Sequence, residues 1–162
     1  MDSAAAHVHA LLQEQGATVA TAESLTGGQL AARLTSVPGA SASFVGGVVS
    51  YATSVKTGVL GVPVDLVARH GVVSADCARA MASGVRRLLG SSYALSTTGV
   101  AGPDEQDGLP PGTVFVGLAG PDGEHALALH LAGDRAEIQA ATCESALEGL
   151  LGVLRREQGV LG

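Results

Sequence analysis

Ser24 stands in the run Thr21-Ala22-Glu23-Ser24-Leu25-Thr26-Gly27-Gly28, where a strand-like segment gives way to a glycine pair and then to a helical pattern. Ala17 to Ala22 alternates small apolar residues with threonine, and from Gln29 onward Leu30, Ala31 and Leu34 fall on one helical side. A hydroxyl at such a turn is exposed as a nucleophile. The first helical amides there are unpaired and point outward, where they hold an anion or a developing oxyanion. Gly27 and Gly28 let the backbone turn sharply and approach a ligand closely. The plainer alternative is an N-cap, with Ser24 or Thr26 satisfying those donors itself.

A serine nucleophile needs a base. Lys56 is the only lysine in the chain, lies five residues after Tyr51 and has no neighbouring acid in its segment. On the surface it would be an ordinary solvated cation. Enclosed beside the serine, its pKa would fall from ~10.4 toward the ~7–8 useful to a general base, and it would take the Ser24 proton as in Ser-Lys hydrolases. The five histidines offer no better base: His7 and His9 sit on a terminal helix, His70 ends a short one, and His125 and His130 occupy a hairpin. No set of His, Cys and Asp residues has ligand spacing, so neither a metal nor a cofactor is expected. Arg135, in Gly133-Asp134-Arg135, begins the last helix, where the helix dipole disfavours a cation unless an anion lies nearby. Its guanidinium is suited to phosphate.

The elements that must position these residues follow from periodicity and punctuation. Asp2 or Ser3 caps a first helix with Ala4, Val8, Leu11 and Leu12 inward, ended by Gly16. A second strand runs from Val45 to Tyr51, its Gly46 and Gly47 implying close approach of a backbone or ligand. Ala52 to Leu60 has no clear pattern, and a short helix follows near Val64 to Arg69. Ser74 caps a helix to Leu89 with Cys77 or Ala78, Met81, Val85 and Leu88 inward and Gly90 as its stop. A third strand, Ser92 to Thr98, runs into Gly99-Val100-Ala101-Gly102-Pro103 and a polar loop. Val114 to Ala119 and His125 to Leu131 form a hairpin around Gly120-Pro121-Asp122-Gly123. Asp134 caps the last helix, with Leu147, Leu150, Leu151 and Leu154 inward. Five strands with helices on both faces predict an α/β sheet that is mostly parallel with one antiparallel member. Ligands collect beyond the carboxyl ends of parallel strands, and Ser24, Tyr51 and Thr98 with Gly99 all fall at such ends.

The totals agree with one domain over residues 1–162. Only four aromatics, Phe44, Tyr51, Tyr93 and Phe115, occur among 46% apolar residues, so the core must be packed Ala, Val and Leu. A net charge of −6 without a basic run argues against nucleic acid as a partner. Cys77 and Cys143 form no framework of pairs, no segment reads as a secretory signal or a membrane span, and the expectation is a soluble, cytoplasmic protein. A homodimer is expected only from base rates.

Together these residues resemble the C-terminal domain of the CinA family, whose stand-alone members are nicotinamide mononucleotide deamidases. The resemblance rests on Thr-Ala-Glu-Ser-Leu-Thr-Gly-Gly at 21–28, Pro-Gly-Ala-Ser at 38–41, Gly-Val-Val-Ser-Tyr at 47–51 with Lys56, Leu60-Gly61-Val62, and His70-Gly71-Val72-Val73-Ser74. It continues through Thr98-Gly99-Val100-Ala101-Gly102-Pro103, Gly112-Thr113-Val114 and Gly133-Asp134-Arg135. It implies a three-layer α/β/α sandwich on a mixed sheet, and hydrolysis of the nicotinamide carboxamide to nicotinate mononucleotide and ammonia. Ser24 would be the nucleophile, Lys56 its base, and Tyr51 a neighbour that relays the proton or holds the lysine neutral. Ser41, Thr98 and Arg135 match positions that line the family's site. Beyond the resemblance, the chemistry of the residues suggests Arg135 on the phosphate, Thr98 and Ser41 orienting the substrate, Thr26, Gly27, Gly28 and Gly99 also in the substrate site, and amides of Gly27, Gly28 or Gly99 on the oxyanion. Larger members of the family carry an N-terminal domain similar to molybdopterin-binding proteins, for which this chain has no room. The chain departs from the family in Ala52-Thr53-Ser54-Val55, where Ser-Asn-Glu-Ala is frequent, and in Gln139 and Ala140, where a further arginine follows Gly-Asp-Arg. A catalytically silent nucleotide-binding or regulatory domain, and an amidohydrolase for another small amide, are the rival expectations.

Overall fold

The computed structural model describes residues 3–161. Ser3 opens helix α1 (Ala4–Glu14), its Oγ accepting from the Ala6 amide at 3.1 Å; Asp2, the alternative cap, lies outside the described residues. There follow β1 (Val19–Glu23), α2 (Gln29–Thr35), a 3₁₀ turn (Ala40–Ala42), β2 (Phe44–Val49), α3 (Thr53–Gly58), α4 (Val64–His70) and α5 (Ala75–Leu89). Strand β3 (Tyr93–Gly99), the hairpin of β4 (Thr113–Gly120) and β5 (Gly123–His130), and α6 (Arg135–Leu161) complete the order. Among the described residues no helix is long and apolar enough to cross a membrane.

The five strands form one mixed sheet in the order β2-β1-β3-β4-β5. β1 pairs parallel with both neighbours, and the two pairings around β4 are antiparallel. Four strands therefore point one way and β4 alone opposes them. The register matters most for function: Glu23 is level with Val49 of β2 and with Thr97 of β3. The residues just beyond these three, among them Ser24, Tyr51 and Thr98, consequently emerge side by side at one end of the sheet.

Strand parity divides the core. Val19 and Leu95 face α1, α2 and α6, against Val8, Leu12, Leu30, Leu34, Leu147 and Leu150. The intervening Ala20, Ala22 and Ala94 face α5, against Cys77, Met81 and Val85. Small residues on that side let α5 lie close on the sheet: a Cβ on Gly117 would come within 2.2 Å of the Ala78 carbonyl oxygen. Gly84 of α5 likewise admits the connection between α3 and α4, a Cβ there falling within 2.0 Å of the Leu60 carbonyl oxygen. Both cysteines are buried and free, and burial raises their thiols to about 11 for Cys77 and about 12 for Cys143.

The expected order of strands and helices holds with two corrections. Residues 53–58, without a legible pattern, are helix α3; its Ala52 end has no side-chain cap, and β-branched Thr53, Val55 and Thr57 are poor helix formers, so the helix owes its existence to packing around buried Lys56. Leu88, expected inward, is 52% exposed near the end of α5. The close approach of a backbone or ligand expected at Gly46 and Gly47 is found at Gly47, where the neighbouring strand leaves no room: a Cβ there would lie 2.3 Å from Thr21 Oγ1 and 3.2 Å from the Thr21 carbonyl oxygen.

Candidate active site

Ser24 follows β1 directly, and its amide donates to the Thr97 carbonyl oxygen at 3.0 Å, which fastens the turn to the end of β3. The turn is then held from inside by the residue before the serine. Glu23 is 1% exposed, and its carboxylate accepts from Thr26 Oγ1 at 2.6 Å and from the amides of Gly28 (3.2 Å), Leu30 (2.8 Å) and Ala31 (3.0 Å). The start of α2, expected to hold a ligand anion, is thus filled by the chain's own anion. Parity explains it: β1 turns Glu23 to the same side as Val19 and Thr21, toward α2, and four donors repay the burial of its charge.

Lys56 is brought to Ser24 by α3. It is 2% exposed, and its Nζ lies 2.9 Å from Ser24 Oγ, 2.8 Å from the Ser50 carbonyl oxygen and 3.0 Å from that of Tyr51. As an ammonium it donates to all three. As a neutral amine it keeps an N–H for each carbonyl and turns its lone pair on the serine hydroxyl, which is the arrangement a base requires. Burial pulls the Lys56 pKa below its ordinary value; the opposing influence of Cys77, beneath it on α5, is smaller.

Around this pair opens a cavity of about 490 Å³. Tyr51, Thr98, Gly99 and Arg135 line it with Ser24 and Lys56. Arg135 starts α6, where Asp134 Oδ1 accepts from the Glu137 amide at 2.9 Å and Glu137 Oε1 from the Asp134 amide at 3.2 Å, a reciprocal cap that fixes the arginine's position. The guanidinium donates to the Gly102 carbonyl oxygen at 2.7 Å and to the Tyr51 hydroxyl at 3.2 Å. Tyr51 therefore meets Lys56 through its carbonyl, while its ring, 61% exposed, belongs to the rim; a proton relay through the phenol is not what the geometry offers. The Thr98 hydroxyl donates to the Val72 carbonyl oxygen at 2.7 Å, so it faces the cavity as an acceptor.

Four expected site residues are absent from the cavity lining. The Thr26 side chain is fully buried, bonded to Glu23 and, at 2.8 Å, to Thr97 Oγ1, which leaves only its backbone amide for the serine turn. Gly27 and Gly28 supply the left-handed turn, with φ of 56° and 105°, but the Gly27 amide donates to the Ser24 carbonyl oxygen and that of Gly28 to Glu23. Neither is free for an oxyanion; Gly99 stays in the cavity lining with its amide turned away from β4, since it is the next amide, that of Val100, that donates to Thr113. Ser41 is exposed on the 3₁₀ turn that precedes β2. Six strand residues separate that turn from the cavity, roughly 20 Å at ~3.3 Å per residue, so Ser41 sits at the wrong end of the sheet.

The structure also adds Leu25, Val72, Gly102, Asp104 and Glu105 to the lining. By composition the loop after β3 is ordinary polar surface; what singles it out is its origin at a strand end and the Thr98-to-Pro103 run that carries part of the family resemblance. Gln139, one helical turn after Arg135, reaches the serine turn by donating to the Leu25 carbonyl oxygen at 2.8 Å. Among the described residues no three His, Cys, Asp or Glu side chains gather as a metal site.

A family model described as the CinA C-terminal domain matches residues 1–154. A CinA-like protein of Frankia casuarinae is 54% identical over 147 residues, 91% of this chain and 34% of that protein. A CinA-like protein of Citrifermentans bemidjiense is 48% identical over 86% of the chain and 34% of its own length. The chain spans about a third of these curated relatives. Among solved structures, a competence-damaged protein (CinA) superfamily protein from Klebsiella pneumoniae superposes with a TM-score of 0.91 at 31% identity, covering 94% of this chain and 96% of the other. The competence/damage inducible protein CihA from Agrobacterium tumefaciens gives 0.89 at 32% identity, with 94% and 93% covered.

Proposed function

The chain belongs to the CinA C-terminal domain family, and from that premise we propose that it hydrolyses the carboxamide of nicotinamide mononucleotide to nicotinate mononucleotide and ammonia, a step of pyridine nucleotide salvage. The observation that carries the proposal is the buried Lys56 amine 2.9 Å from the Ser24 hydroxyl, with its pKa lowered by burial. An amide is a poor electrophile, and this pair supplies what it lacks.

In the proposed reaction, neutral Lys56 takes the Ser24 proton as Oγ adds to the carboxamide carbon and the carbonyl electron pair moves onto oxygen. Lys56 returns that proton to the amide nitrogen, the C–N bond breaks and ammonia leaves, with the nicotinyl group esterified to Ser24. Water then attacks the ester, Lys56 accepting its proton and passing it to Oγ as nicotinate departs. Arg135 is assigned to the phosphate and Thr98 to orienting the substrate as an acceptor. No metal or cofactor is part of the scheme. The reaction is assigned to the reducing cytoplasm, in keeping with two buried, unpaired thiols.

The test is ammonia release from the purified protein on nicotinamide mononucleotide. Turnover by the wild type that is lost in Ser24→Ala, with mononucleotide binding retained, supports the assignment. Full activity in Ser24→Ala refutes the serine. Binding without release in the wild type favours the silent nucleotide-binding domain, and release only from other small amides favours a different amidohydrolase.

A further inference from the structure

From Ser24 to Ala31 the amides of one short turn are almost completely engaged. Ser24 donates to Thr97, Gly27 to Ser24, Gln29 to Thr26, and Gly28, Leu30 and Ala31 to the Glu23 carboxylate. The two exceptions are Leu25 and Thr26, whose N–H groups carry no hydrogen bond within the described chain. These residues are 3% and 0% exposed, and donors orphaned at such burial are rare. They directly follow the nucleophile, and Leu25 lines the cavity.

Their orientation is set from outside the turn. A peptide unit is planar and trans, so a partner that holds its C=O also fixes the opposed N–H. The Gly27 amide holds the Ser24 carbonyl oxygen at 3.1 Å, which fixes the plane ending in the Leu25 N–H. Gln139 Nε2 holds the Leu25 carbonyl oxygen at 2.8 Å, which fixes the plane ending in the Thr26 N–H. Gln139 is itself steadied by its neighbour Ile138, 1% exposed and packed with Leu25, Ala101 and Val114. Helix α6 thus reaches across 114 residues of chain to one peptide beside the serine.

We infer that the Leu25 and Thr26 amides are the oxyanion donors and that Gln139 is the residue that positions them, an inference that rests on the acyl-transfer reading of Ser24. When Oγ adds to a carbonyl carbon and the π pair shifts to oxygen, the new negative charge meets two donors already aimed, with no reorganisation needed at that moment. The donor after a serine nucleophile serves the same purpose in other hydrolases with a serine on a strand-to-helix turn. Gln139 touches neither substrate nor reacting atoms; it acts through the Leu25 peptide.

The experiment compares the wild type with Gln139→Met and Gln139→Glu in two assays: ammonia release from the mononucleotide, and the rate at which a fluorophosphonate probe labels Ser24, followed by intact mass. Gln139→Met keeps the length of the side chain and loses the donor. Gln139→Glu regains a donor only when its carboxyl is protonated. The expected result is unchanged mononucleotide affinity, a kcat and a labelling rate at least tenfold lower in both variants at neutral pH, and a deficit for Gln139→Glu relative to wild type that shrinks on acidification while that of Gln139→Met does not. Wild-type labelling and kcat in both variants overturn the inference. So does a weakened affinity with kcat unchanged, which would make Gln139 a substrate contact, or a wild-type Ser24 that resists the probe. If labelling follows the expected order while even the wild type releases no ammonia, the deamidase reading fails and the positioning role stands.

Discussion

At the floor of the cavity Ser24 is 9% and Lys56 2% exposed, and the Lys56 amine has three defined partners; at the rim Tyr51 is 61% exposed and its hydroxyl accepts a hydrogen bond from Arg135 at 3.2 Å. The floor is built from strand ends locked in register, from Glu23 beneath them and from a short helix packed around an amine. The rim joins the end of β2 to the start of α6 by one hydrogen bond between two adaptable side chains. Reactivity depends on fixed geometry in a low-dielectric setting, and recognition of a soluble anion tolerates looseness. Changes at the floor should therefore strike the rate constant or the fold, and changes at the rim the affinity.

Lys56→Met should break the floor most severely, lowering kcat by about 10²–10⁴ with affinity for the mononucleotide kept, as measured by steady-state ammonia release. The pH dependence sharpens this. Because the folded-state pKa of Lys56 is depressed, wild-type kcat/KM should climb as pH rises through that value and level off above it. The sign for stability is the same. Below the folded-state pKa the buried charge costs stability in full, and between that value and the ordinary 10.5 the unfolded chain holds a proton that the folded one has released, so stability rises with pH. Urea titrations should show that rise in the wild type and lose it in Lys56→Met.

Glu23→Gln should be next, costing about 2–3 kcal/mol of unfolding free energy, since an amide group is set against donors that a carboxylate now satisfies. Thermal melts check it, and a variant as stable as the wild type would mean that Glu23 does not hold the turn. At the rim, Arg135→Ala should raise KM roughly 10- to 30-fold with kcat nearly constant, the loss of a charge-assisted contact to phosphate. A fall in kcat without a change in KM would move Arg135 from the rim to the chemistry. The smallest effect belongs to Tyr51→Phe, roughly two- to threefold in KM, from removing one exposed hydrogen bond to the arginine. A large loss of kcat there would restore a catalytic part for the phenol.

The two regions also differed in how far their residues could be read in advance. The Ser24 turn was legible because its causes are local: a strand period, two glycines able to take positive φ, a helix period. Lys56 was legible as an oddity, the only lysine and one without an acid nearby, while the helix that carries it was not, because α3 has no cap and poor propensity and exists through its contacts. The role of Glu23 is hidden in the sequence because which way a strand residue faces depends on the neighbours it packs against. The expected anion site at α2 was sound physics applied to the wrong anion. Ser41 came only by resemblance, and chain direction sends it to the far end of the sheet. Gln139 could be noticed only as a departure; its contact with Leu25 spans too much sequence for any local pattern to announce.

Glu23 also shapes what the protein can attract. Its carboxylate cancels the positive pole of α2 from within, so that helix lends no field to an incoming phosphate. On a chain of net charge −6, with Asp104 and Glu105 beside the opening, the phosphate of the proposed mononucleotide would be drawn in at the mouth by Arg135 and repelled elsewhere, while its cationic pyridinium ring would meet no such repulsion. Capture of that phosphate would rest on one guanidinium, and added salt should weaken both the pull and the push.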